Sequence, residues 1–258
     1  MKRRHLMRYA GASLLTALGT GAASGWQSYQ AQAGGTLSVQ WLGHTCFLFT
    51  GGGAGRILVN PFRAVGCTAG YRPPKVAADL VMISSQLLDE GAVEILPGNP
   101  KLLFEPGTYQ VNGRQFVGIR TPHDLMDGKR FGINVAWRWR QAGLDILHLG
   151  GAAAPITPEQ KILMGRPDVV LIPVGNGPKA YTPENAKAAI AVLNPKVIIP
   201  THYRTQAAAK GACDLVPVED FLTLMSGVPI RRVGNTIALR PSDLPRTGMV
   251  IQVMSYNF

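Results

Sequence analysis

Charge is scarce in this chain, and negative charge most of all. Of 258 residues only 16% are charged, with 15 Asp and Glu against 26 Lys and Arg, while 46% are apolar. That balance excludes a disordered, self-repelling chain and leaves enough apolar material for one large buried core. There are only three cysteines, too few for a small disulfide scaffold or a cysteine-rich zinc module. After residue 33 no run approaches the roughly 20 strongly apolar residues that a membrane span needs, so no transmembrane span is expected there. No repeat of fixed period occurs, which sets aside solenoids and propellers. Glycine and proline, by contrast, are plentiful (30 and 19) but dispersed, as in a fold of short elements joined by tight turns.

The first residues differ from the rest. Met1–Arg8 is basic and contains the Arg3-Arg4 pair, a mildly apolar stretch runs over Tyr9–Gly25, and Ala31-Gln32-Ala33 has the spacing that a signal peptidase reads. This resembles a twin-arginine export signal over 1–33, with one domain over 34–258. Residues 1–33 hold four basic residues and no acidic one, so removing them lowers the net charge from +11 to +7. The remaining positive charge is scattered, with tight pairs such as Arg138/Arg140 and Arg231/Arg232 but no basic stripe. Nucleic acid is therefore not expected as a partner; a small anionic molecule or a protein is. Cys46 lies in the apolar run Thr45–Phe49 and reads as a buried thiol. Cys67 and Cys213 lie in turn-rich segments that an oxidising compartment would allow to bond; the sequence leaves that pairing open.

Short strands are expected at Thr36–Leu42, Cys46–Thr50, Arg56–Val59 and Asp79–Ile83, then a helix over Leu87–Leu96 ended by Pro97. Strands follow at Lys101–Phe104, Thr108–Val111, Gln115–Ile119, Phe131–Arg140 and Leu144–Leu149. The later half alternates: helix Pro158–Met164, strand Asp168–Pro173, helix Thr182–Leu193 with Thr182 as N-cap, and strand Lys196–Pro200. Helix Val218–Met225 and two closing strands, Pro229–Val233 and Thr236–Arg240, complete the expectation. The pattern suggests an α/β fold of two sheets packed face to face with helices outside.

Four segments carry a resemblance to a known family: VQWLGH (Val39–His44) with ILVNPF (Ile57–Phe62), DLVMISSQLLDEG (Asp79–Gly91), ILHLGG (Ile146–Gly151), and LIPVGNG followed by NPKVIIPTHY within Asp168–Tyr203. Together they resemble the metallo-β-lactamase superfamily, in its L-ascorbate-6-phosphate lactonase-like branch of hydrolases, and its exported cyanobacterial members in particular. The resemblance implies an αββα four-layer sandwich with two metal ions between loops at one edge. It also implies export to a periplasm or thylakoid lumen.

Transferred residue by residue, the ligand pattern is incomplete. Ser85 and Leu87 stand where the family has its first two histidines, Asp89 is retained, and Glu90 replaces the next histidine. His123 and His202 are retained, Gly151 replaces the bridging aspartate, and Asn60 stands where the family usually has Asp. Two dications 3.5–4 Å apart repel by about 17–19 kcal/mol at an effective dielectric of 20, and the lost shared carboxylate is what would offset this. A two-metal site is therefore not expected. The main expectation is a non-hydrolytic binding protein without a metal. The alternative is a lactone, ester or phosphodiester hydrolase with one zinc, manganese or iron ion on Asp89, Glu90, His123 and His202. In that alternative Asp89 and His123 are the catalytic candidates, His123 paired with Asp124 as a general base. His44, Ser85, Asn176 and His202 are ligand-binding candidates, Lys179 and Arg204 add positive charge at the rim, and His148 is a core residue.

Overall fold

The computed structural model describes residues 35–209 and 212–258; the export signal expected over 1–33 lies outside them. Fourteen strands and three α-helices are described. The first five strands are β1 (Leu37–Gly43), β2 (Cys46–Thr50), β3 (Ile57–Val59), β4 (Leu80–Met82) and β5 (Lys101–Leu103). The next four are β6 (Gly107–Val111), β7 (Arg114–Pro122), β8 (Ile133–Gln141) and β9 (Leu144–His148). Then come α1 (Pro158–Met164), β10 (Val169–Pro173), α2 (Pro183–Leu193), β11 (Val197–Thr201) and α3 (Val218–Leu224). The chain closes with β12 (Ile230–Val233), β13 (Thr236–Leu239) and β14 (Val250–Met254).

One sheet has the order β13-β1-β2-β3-β4-β5 and the other β12-β14-β11-β10-β9-β8-β7-β6. Their patterning explains their setting. β1 alternates buried and half-buried residues, as a strand with one face on the core must. β10 and β11 are buried at every position, as parallel strands covered on both faces must be. Between the sheets, Phe49 meets Trp139 edge to face at 4.9 Å, and Trp137 Nε1 donates to Ile83 O at 3.0 Å. This is the two-sheet mixed α/β sandwich that the sequence suggested.

α2 forms where expected. The Thr182 hydroxyl accepts from the Asn185 N–H at 3.1 Å, Pro183 occupies the first turn, and Asn194 ends the helix in the left-handed region. Two expectations fail. The segment 87–96 is not an α-helix: Gly91 N–H turns back to Leu87 O, Ala92 N–H donates to Pro61 O, and only a 3-10 turn forms at Val93–Ile95. A Cβ on Gly91 would collide with Ser85 O, so the chain is folded onto itself there rather than wound. The second failure is an omission. β14 lies between β12 and β11, where its VIQVM run is wholly buried. Its Gln252 interrupts the apolar run.

Strand directions gather the site. β1, β3 and β4 run the same way in one sheet, and β7, β9, β10 and β11 do so in the other. The segments after β1, β4, β7, β9, β10 and β11 supply His44, Ser85, Asp89, Glu90, His123, Gly151, Lys179 and His202, at the carboxyl ends of these strands, where open sheets place ligands.

Candidate metal centre

His44 follows β1 and takes the left-handed conformation (φ 54°). Gly43 before it has φ 109° and lies so close to the Tyr71 ring that a side chain would collide with it. Trp41 Nε1 donates to His44 O at 3.0 Å and fixes the turn. The His44 ring then meets the His202 ring edge to face at 4.3 Å. His202, after β11, is also left-handed (φ 53°). Asn60, directly after β3, accepts at Oδ1 from the N–H of Ser84 at 2.8 Å and holds the start of the loop after β4 that carries Asp89 and Glu90.

One donor atom each from His44, Asp89 and His202 lies within 4.8 Å of the others. Donor atoms on one tetrahedral zinc at 2.0–2.2 Å are about 3.3–3.6 Å apart, so the widest pair of the cluster closes by up to about 1 Å when an ion is bound. Glu90 lies beside this cluster. Its Oε1 is 3.6 Å from His202 Nδ1, its Oε2 is 3.4 Å from His123 Nε2, and Ser85 Oγ donates to Oε2 at 3.0 Å. Five buried atoms of these residues have no hydrogen-bond partner among the described residues: His44 Nε2, His202 Nδ1, both ring nitrogens of His123, and Glu90 Oε1. Buried polar atoms without partners are costly, and convergent ones mark a place for a ligand.

The protonation states suit a cation. Burial pushes His44 and His123 down to about 4 and His202 well below its usual value, leaving neutral imidazoles, the form that ligates metal. Burial, followed by the Asp89 charge, pushes Glu90 up to about 8. Its contacts with His123 and His202 are thus between neutral groups at pH 7, not ion pairs. Burial would raise Asp89 too, but Lys179 and His44 together hold it below the usual carboxylate range. Lys179 Nζ is in direct contact with Asp89 Oδ2.

A sequence profile described as the β-lactamase superfamily domain matches residues 38–202. The chain belongs to this superfamily. A metal-dependent hydrolase of Thermococcus onnurineus is 27% identical over 66% of this chain and 85% of its own length. One from Thermoplasma acidophilum is 24% identical over 66% and 84%. A Thermotoga maritima crystal structure, assigned as a Zn-dependent hydrolase of the metallo-β-lactamase superfamily, superposes with a TM-score of 0.68 at 32% identity. The match covers 84% of this chain and 98% of that one.

The structure brings the expected ligands together only in part. Two of the four expected ligands, Asp89 and His202, fall in the three-donor cluster, and His44 takes the third place. Glu90 and His123 form a neighbouring pair instead. His123 and Asp124 do not form a general-base pair: the Asp124 carboxylate accepts the backbone N–H groups of Met126, Gly128, Arg130 and Phe131 and organises that loop. Ser85 does reach the site, through Glu90. Asn176 is exposed at a left-handed turn (φ 59°), its N–H on Tyr181 O, and Arg204 is also exposed. His148 is a core residue as expected: Gly150 N–H donates to its Nδ1, so the proton is on Nε2, which meets Thr45 O at 3.0 Å.

Two contributors carried little sequence signal. Asn134 on β8 donates to Leu149 O and accepts from Gly151 N–H, fixing the turn after β9. Lys179 looked like a rim charge, yet it contacts the Asp89 carboxylate. The donors fit one ion. An ion on Asp89 and the ammonium, about 4 Å apart, would repel by roughly 8 kcal/mol at an effective dielectric of 20, so Lys179 must move aside. A second ion has His123 alone, because Ser85, Leu87 and Gly151 supply no effective ligand.

Proposed function

We propose that this protein is a metal-dependent hydrolase that works with one divalent ion held by His44, Asp89 and His202. The observation that carries this reading is the convergence of those donors with unpartnered nitrogens on both histidines. Two imidazoles and a carboxylate suit zinc, and also iron or manganese. The relatives described as metal-dependent hydrolases favour this reading over a metal-free, non-hydrolytic protein. An ion held there would supply Lewis acidity toward a scissile carbonyl or phosphoryl oxygen.

The chain's own groups supply the rest. Glu90, oriented by Ser85 and protonated at neutral pH, holds a proton between His123 and His202, behind Ser85 at the wall of a cleft. The cleft, of about 350 Å³, is lined by Ser85, Leu87, Phe104, Phe131 and Ile133. That size suits a small molecule with an apolar part. A small lactone, ester or phosphodiester is the proposed substrate, and the L-ascorbate-6-phosphate lactonase-like branch remains the proposed affiliation. Export to a periplasm or thylakoid lumen is likewise proposed; a bond between Cys67 and Cys213 supports an oxidising compartment.

The test is metal content and turnover of the purified protein. About one equivalent of zinc, manganese or iron is expected, lost in Asp89→Ala and His202→Ala, with hydrolysis of a member of a lactone, thioester, β-lactam and phosphodiester panel. Two equivalents would overturn the one-ion site. No metal and no turnover would overturn the hydrolase.

A further inference from the structure

Lys179 stands out because it sits where the proposed ion must act. It lies in the 174–180 loop after β10, next to Gly177 and Pro178, and its ammonium contacts the Asp89 carboxylate, which is also one of the three clustered donors. A carboxylate oxygen that bonds a dication closely cannot keep an ammonium on the same side. The two occupants exclude each other by charge and by space.

The lysine is well placed to leave. The two side chains are 21% and 19% exposed, so the pair borders on solvent and the ammonium has water on one side to move into. A second seat is close by: Nζ is 5.9 Å from the centre of the Phe131 ring, whose face attracts a cation. Phe131 also lines the cleft, so a lysine that moves there leaves Asp89 and turns to the substrate side. No such second seat is needed for a purely structural ion pair.

We infer that Lys179 is a built-in counter-cation: its ammonium holds Asp89 while the site is empty, and a divalent ion displaces it toward Phe131 and the cleft mouth. The inference rests on the reading of Asp89 as a metal donor. It makes metal affinity the difference between two competitors for one carboxylate. It also gives the loaded site a positive group facing an anionic substrate.

Two measurements on the full chain test it. Zinc titration against a competing chelator should show Lys179→Met binding at least tenfold more tightly than wild type, with Lys179→Arg close to wild type. In an Asp89→Asn background the Lys179 substitution should no longer matter. Independently, in the wild-type protein, acetylation of Lys179 read by peptide mass spectrometry should rise several-fold on zinc saturation while other lysines stay constant. This second measurement stands even if Lys179→Met does not fold. Equal or weaker zinc binding by Lys179→Met, or Lys179 acetylation that zinc leaves unchanged, would overturn the displacement while leaving the one-ion site in place. Failure of wild type and Lys179→Met alike to bind zinc would remove both the displacement and the metal site beneath it.

Discussion

Glu90 Oε2 lies 3.4 Å from His123 Nε2 with both side chains closed to solvent, yet no hydrogen bond joins them. Nor is the contact an ion pair. Burial has moved the acid and the base in the directions that keep both neutral.

This neutrality sets the pH dependence of the metal-free protein. Histidines 44, 123 and 148 are lowered from 6.5 to about 4, and burial also holds His202 well below its usual value. Their contribution is present above pH 6.5 and lost as pH falls toward 4. Glu90 is raised from 4.5 to about 8, so its contribution is full below pH 4.5 and lost as pH rises to 8. Between 4.5 and 6.5 four histidines outweigh one acid. Above 6.5 only Glu90 acts, at about 1.4 kcal/mol per pH unit. Thermal stability of the chelator-treated protein should therefore peak near pH 6.5 and fall by about 2 kcal/mol by pH 8. Glu90→Gln should flatten that alkaline limb. A wild-type curve already flat from pH 6.5 to 8 would contradict the assignment.

Gly151 shows how the lost bridging aspartate is accommodated. A Cβ there would lie 2.8 Å from Glu90 Oε1 and closer still to His123 Nε2, because those side chains occupy the space. Gly151 is not in the left-handed region, so the penalty is contact rather than backbone strain. Gly151→Ala should destabilise by about 1–3 kcal/mol in urea unfolding, and Gly151→Asp by more. Glu90→Ala in the same chain should recover part of the loss. Additive losses in the double variant would show that the two residues do not share the space.

Much of this was legible in the sequence. Leu87 and Gly151 could be read directly as failed ligands, and the Asp89 and His202 donors as survivors, because the segments carrying them keep their strand-loop pattern. His44 was harder. Its part in the cluster depends on a left-handed turn and on β1 ending level with β11 in the opposite sheet, and neither is a local property. The spacing of apolar residues in 87–96 imitates a helix, whereas the segment is in fact shaped by long-range bonds to Pro61 and by the crowding of Gly91 on Ser85. Lys179 became informative only once the loop after β10 was placed against the loop after β4.

Cys67 and Cys213 form a disulfide with Cα atoms 4.7 Å apart, 146 residues apart in sequence, while Cys46 is free and buried. It ties two loops already joined by Gly70 N–H to Ala207 O and by Tyr71 OH to Thr205 Oγ1. One of them follows directly from His202. In the chain-entropy model a closed loop of this length stabilises by about 5 kcal/mol. Non-reducing peptide mapping should show this pair, and reduction should lower the melting temperature by more than 10 °C and weaken zinc binding through His202. Two free thiols at these positions would refute the bond.

The neighbouring, ligand-poor position offers a constructive test. Ser85 and Leu87 replace two imidazoles beside His123, so Ser85→His with Leu87→His would place three there, enough for a second ion. Two dications at bridging distance still need negative charge between them, and residue 151 has none to give. Glu90 touches both His123 and His202, and a second cation would draw its proton off. The double variant should therefore bind close to two equivalents of zinc by elemental analysis, and adding Glu90→Gln should return it to one. Two equivalents retained without the Glu90 charge would mean that another group balances the ions. One equivalent throughout would mean that the loop after β4 cannot turn residues 85 and 87 toward His123.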